Sequence, residues 1–157
     1  MNLKGSVFQI NVSNGGVPKL PRPEALVSTE GLAGDRHHHL QVHGGVERAL
    51  CLYSLEKILA LQEEGHPIFP GAVGENVTVA GVDWSQLAPG MRLSLGDEVL
   101  VEIRRFVTPC KTIAPFFIAG EYERISQTHH PGWARLYARV LQPGVIRVGD
   151  RLNTIFS

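Results

Sequence analysis

The chain has 157 residues, 43% of them hydrophobic and 19% charged, which is the composition of one globular domain and excludes long disorder. Fifteen Lys and Arg balance fifteen Asp and Glu. That argues against a broad electrostatic hold on nucleic acid or on an anionic membrane surface, though not against a small basic pocket.

The first residues, from Met1 to Ser13, carry one Lys and an apolar run broken by Gln9 and Asn11, so no signal peptide is expected. No stretch reaches the length of a membrane span. Cys51 and Cys110 are the only cysteines, too few for a disulfide framework. The expected setting is the cytoplasm, with both thiols reduced. Seventeen Gly and ten Pro are spread along the whole length, as suits many short strands joined by turns. Residues 1–157 are therefore expected to form a single domain of mainly β class.

Val7–Val12 and Arg48–Leu52 are strand candidates. Ser54 then reads as the N-cap of a helix with Glu56 in its first turn and Leu55, Ile58 and Leu59 on its apolar face, ended by Gly65 and Pro67. Val77 and Val79, Leu93 and Leu95, and Val99, Val101 and Ile103 alternate with their neighbours, the period of half-buried strands. A second helix is expected within Ile113–Gln127, and a further strand over Val145–Val148. Pro89-Gly90 before Gly96-Asp97, and Pro143-Gly144 before Gly149-Asp150, each bracket a short strand with turns, as barrel corners require.

Chemistry concentrates in three places. The run Gly34-Asp35-Arg36-His37-His38-His39 leads to His43-Gly44-Gly45 and Arg48. For His38 and His39 a solvated turn is preferred over metal ligation, because adjacent side chains of an extended chain diverge. A zinc site would have to rest on His37, His39 and His43. Arg36, His37, His43 and Arg48, interleaved with glycines, make either a small anion site or a set of surface charges.

Cys110 lies in Arg104-Arg105-Phe106-Val107-Thr108-Pro109-Cys110-Lys111. Pro109 keeps Thr108 extended, so a strand is expected to end there and present the thiol at its tip. Lys111, Arg104 and Arg105 would then favour thiolate. The alternative is an inert buried thiol, the reading that Cys51 between Leu50 and Leu52 fits well. Glu75-Asn76 opens a strand, where it could read a heterocycle or serve turn chemistry. Asp35 could orient a histidine or cap a turn.

In order, GLAGDRHH from Gly31, HGG with VERAL from His43, PGAVGENVTVAGVD from Pro70, RLSLGDEVLVEI from Arg92 and the TPC of residues 108–110 resemble the MOSC domain family. GWARLYARVLQPGVIRVGDRL from Gly132 continues the likeness more weakly. The resemblance implies a compact barrel-like fold with a few short helices that binds the molybdenum cofactor, a molybdopterin with a phosphate tail. It implies Cys110 as molybdenum ligand, catalytic thiol or persulfide carrier, and Arg36, His37, His43, Arg48, Glu75, Asn76, Thr108 and Lys111 as cofactor-binding. Family members carry activated sulfur or reduce N-hydroxylated compounds. No ferredoxin-like cysteine set, flavin fingerprint or pyridoxal-phosphate domain is visible here. A separate electron-donor or sulfur-donor protein is therefore implied, and carriage of the cofactor or its sulfur is favoured over turnover.

Overall fold

The computed structural model of the chain describes residues 3–36 and 45–155. Eleven strands and one α-helix lie among them. The strands are β1 (Lys4–Val12), β2 (Leu20–Arg22), β3 (Glu24–Ser28), β4 (Gly31–Leu32), β5 (Leu50–Ser54), β6 (Val77–Ala80), β7 (Arg92–Leu95), β8 (Val99–Phe106), β9 (Leu136–Gln142), β10 (Gly144–Arg147) and β11 (Arg151–Ile155). The helix α1 spans Leu55–Glu63.

Seven strands close into a barrel in the order β11-β7-β8-β9-β5-β6-β1, with β1 returning to pair with β11. Closure removes the free edges that an open sheet leaves exposed. Strand β2 is added outside β1, and β10-β3-β4 make a separate three-stranded sheet. Among the described strands, β5 and β6 alone pair in parallel, and α1 lies in their crossover.

Period two builds the interior directly. Leu152 pairs with Leu95, and Leu95 with Val99; Leu93 pairs with Val101, and Val101 with Val140. These rows are buried, while Arg92 and Arg104 point outward. The turn at Gly149-Asp150 closes the seam by exchanging two backbone bonds with Val7, each 2.8 Å. Val7 also precedes the β-bulge in β1, where the strand changes its pairing register with β6.

The Ser54 hydroxyl caps α1 by accepting from the Lys57 amide at 3.1 Å, and Gly65 leaves the helix at φ +101°. Its buried face is Ile58 and Leu61; Leu59 is exposed. No second α-helix forms over Ile113–Gln127. Three 3-10 turns take its place, at Lys111–Phe116, Ile118–Gly120 and Tyr122–Ile125. Pro115 removes an amide donor in the first and Ala119 adopts φ 54° in the second, so continuous helical bonding is lost. Among the described residues no helix is long and apolar enough to cross a membrane.

Candidate functional site

A cleft of about 670 Å3, including the open solvent at its mouth, lies where the loop after β1, the starts of β5, β6 and β9, and the segment after β8 converge. Lys19, Arg36, Cys51, Asn76, Thr108, Cys110, Thr112, Arg135 and Tyr137 line it with Gly16, Val17, Val73, Gly74 and Ile113.

Cys110 is not at a strand tip. Strand β8 ends at Phe106, and Cys110 stands four residues later at the entrance to the Lys111–Phe116 turn. Its own backbone is extended, at φ −135° and ψ 171°, and its half-buried Sγ donates to the Thr112 hydroxyl at 3.3 Å. Arg104 does not accompany it. That guanidinium is held outside the barrel by Glu47 at 2.6 Å and Glu102 at 2.7 Å.

Cys51 is buried on β5, packed with Val107 and Tyr137, yet it too borders the cleft. Burial pushes its thiol up to about 12, from an ordinary value of 9.0. At about pH 8 it is therefore roughly a thousandfold less ionised than an ordinary thiol, and thiolate is the nucleophile. Iodoacetamide is accordingly expected to modify Cys110 much faster than Cys51. Peptide mapping over a time course checks this, and equal rates would contradict the placement of both cysteines.

Three cations line the walls. Lys19 is buried and bonded at 2.6 Å to Asp35, whose carboxylate is itself only 3% exposed. Arg135 is buried, its Nη1 donating to the Val73 carbonyl at 2.7 Å, while its Nε hydrogen has no protein acceptor. Arg36 is exposed, and its backbone amide is tied to the Ser13 carbonyl at 2.9 Å. Asn76 is fixed at both ends of its amide: Oδ1 accepts from the Cys51 amide at 3.0 Å, and Nδ2 donates to Asp35 at 2.8 Å.

The structure thus brings together Arg36, Asn76, Thr108 and Cys110 of the residues singled out from sequence. Arg48 stands one step back, 5.6 Å over the ring of Tyr137, which does line the cleft. Lys111 is exposed beside Cys110 and is not among the lining residues. His37 and His43 lie outside the described residues, as does the proposed histidine zinc site. Asp35 organises Lys19 and Asn76. Lys19 and Arg135 went unnoticed in the sequence, because a single cation in an apolar segment looks like any surface charge.

Glu75 is fully buried behind the wall. Its Oε2 accepts from the Gly71 amide and the Thr78 hydroxyl, both at 3.0 Å, and Oε1 has no partner. Burial raises its carboxyl above the ordinary value of 4.5. A raised folded-state value means that the folded chain holds this proton to higher pH than the unfolded chain. The stability it contributes is complete below the unfolded value and lost as pH rises through the folded one. Glu75→Gln keeps an uncharged acceptor and should flatten the decline in stability as pH rises above the ordinary carboxyl range towards neutrality. Urea unfolding across that range checks this; parallel profiles for both proteins would show that Glu75 ionises freely.

The closed strand barrel thus brings Cys110, Cys51 and three cations to one cleft, donor types that suit an anionic ligand or a soft metal. The chain matches the MOSC domain over residues 39–153 and belongs to that family. It is 31% identical over 142 residues to the uncharacterized protein YflK of Bacillus subtilis, covering 89% of this chain and 63% of the relative. It is 30% identical over 137 residues to YiiM of Escherichia coli, covering 84% of this chain and 59% of the relative. The chain therefore spans about 60% of the length of these relatives. A Gibberella moniliformis protein called a reductase is 31% identical over 133 residues, which are 82% of this chain and 23% of that protein. The crystal structure of YiiM from Geobacillus stearothermophilus superposes with a TM-score of 0.75 at 25% identity, covering 97% of this chain and 75% of the other. The YuaD protein of Bacillus subtilis shares the fold, with a TM-score of 0.74 at 18% identity over 98% of this chain and 97% of the other.

Proposed function

We propose that the cleft binds the molybdenum cofactor, with Cys110 as the sulfur ligand to the metal, and that the domain carries or delivers the cofactor or its sulfur. The observation that carries this reading is the half-buried Cys110 thiol on a cleft whose walls also hold Lys19, Arg36 and Arg135. The donor set fits the group. A thiolate suits a soft metal bearing sulfur ligands, and guanidinium and ammonium groups suit a phosphate tail. Arg135 lines the cleft, and its buried Nε, without a protein acceptor, is a donor left for a ligand oxygen to satisfy.

When bound, the cofactor supplies two-electron redox chemistry and a site that accepts or gives up sulfur. The chain's own residues do the rest. Cys110 anchors the metal, Arg36 and Arg135 hold the anionic end, and Asn76, Thr108 and the Asp35-paired Lys19 offer polar contacts. Both cysteines are free, in keeping with work in a reducing cytoplasm.

A second reading, favoured by the name of the Gibberella moniliformis reductase, is reduction of N-hydroxylated compounds with electrons from a separate donor protein. Protein purified from a cofactor-producing host, with and without added cofactor, tests the first reading through its molybdenum and pterin content. Absence of both after cofactor addition would overturn it. Turnover of an amidoxime by the loaded protein, with a chemical reductant as electron source, would select the reductase.

A further inference from the structure

The cleft's selectivity depends on a residue that does not line it. Asp35 lies behind the wall and accepts three bonds: from Lys19 Nζ at 2.6 Å and the Ser13 amide at 3.0 Å through Oδ1, and from Asn76 Nδ2 at 2.8 Å through Oδ2. Two of those donors belong to residues on the wall. The same stretch of backbone is stitched to the loop after β1, since the Arg36 amide donates to the Ser13 carbonyl and Arg36 bridges to Asn14. One carboxylate therefore fixes an ammonium and an amide and braces the segment that bears Arg36.

Charge is the second consequence. The Lys19 and Asp35 side chains are 7% and 3% exposed, so they form a buried pair of zero net charge. That leaves Arg36 and Arg135 as the wall cations without an ion-pair partner among the described residues. Glu75, the other buried carboxyl nearby, is driven towards its neutral form by burial and faces away into the Gly71 and Thr78 bonds. Two uncompensated positive charges match a doubly charged anion.

We propose that Asp35 is a positioning residue that makes the cleft selective for a single phosphate monoester over a diphosphate, by pinning Lys19 against itself and so cancelling one wall cation. This rests on the reading of the cleft as an anion-binding site. It assigns the selectivity of that site to Asp35, which never touches the ligand.

Binding of inorganic phosphate and inorganic pyrophosphate to the full chain, measured by titration calorimetry, tests it in four proteins: wild type, Asp35→Asn, Lys19→Met and the double variant. Unmasking one cation should raise pyrophosphate affinity relative to phosphate by about tenfold in Asp35→Asn. Lys19→Met leaves a buried anion behind the wall and should weaken both ligands by about tenfold. Removing Asp35 from that background should recover most of the loss. A purely structural Asp35 predicts the opposite, a double variant at least as poor as Lys19→Met. The double variant also removes the buried pair as a unit, so it keeps the fold where a single change strands a charge. If wild type binds phosphate but the double variant is no better than Lys19→Met, the role of Asp35 is overturned alone. If folded wild type binds neither anion, the anion-site reading falls together with it.

Discussion

Cys110→Ser is expected to cut the molybdenum retained per chain by about tenfold or more, while Cys51→Ala retains it. Even the neighbours of metal ligands typically cost 10–100-fold in affinity when lost, so removal of the ligand itself should cost at least as much. Serine offers a hydroxyl whose proton is far harder to remove and whose oxygen is a hard donor, poorly matched to this metal. The fold should tolerate the change. Cys110 is half-buried, and a serine hydroxyl can replace its single bond to Thr112. Cys51 borders the same cleft, but burial pushes its thiol up to about 12, so ligation there carries an added cost of deprotonation. Its truncation should instead cost stability, about 1–2 kcal/mol for a small buried side chain. Metal analysis of the two variants side by side separates the cysteines; equal loss in both would mean that the cleft, and not Cys110, retains the metal.

Gly71→Ala is expected to lower stability by about 2–5 kcal/mol and to disorganise the cleft wall. Gly71 has φ +92°, a region where an alanine is strained, and an added Cβ would run into the Lys19 carbonyl oxygen. The two backbones lie this close because the Lys19 amide donates to the Gly71 carbonyl at 2.8 Å. The Asn11 side chain, at 3.3 Å from the added carbon, closes the other side. Asn11 cannot give way freely, since its Nδ2 donates to the Glu75 carbonyl and the Thr78 hydroxyl at 3.1 Å each. Relief therefore requires movement of Lys19 or of the loop that carries Val73, Gly74 and Asn76, all of them wall residues. For a chain of this length such a loss lowers the melting temperature by about 5–15 °C. Thermal unfolding and phosphate binding measured on one preparation should fall together. A stable variant with unaltered binding would show that the close approach is not required.

The barrel was most legible where its strands have one face buried. Leu93, Leu95, Val99, Val101 and Ile103 announce β7 and β8 because alternate residues meet the core and solvent. Strand β5 hides this signal, since all five of its residues are buried, and β9 is similar along most of its length. Such strands look like any short apolar run. The turn at Val46–Arg48 was absorbed into the expected strand over Arg48–Leu52, displacing it from the observed Leu50–Ser54. The stretch after Cys110 has helical composition, yet its Pro and Gly leave only 3-10 turns.

The site was legible in part for a different reason. Arg36, Asn76, Thr108 and Cys110 sit in motifs that turn chemistry and glycine make conspicuous. Lys19 follows an X-Pro pair and Arg135 immediately precedes β9, and neither position has a local signature. Their function comes from long-range partners, Asp35 for Lys19 and the Val73 carbonyl for Arg135. Those contacts exist only once the barrel closes.

Molybdenum K-edge X-ray absorption of the cofactor-loaded protein tests the central claim most directly, by counting sulfur atoms bound to the metal in wild type, Cys51→Ala and Cys110→Ser, each loaded with excess cofactor. A thiolate ligand from Cys110 predicts one sulfur fewer in Cys110→Ser alone, with wild type and Cys51→Ala alike. An unchanged sulfur shell in Cys110→Ser would contradict it.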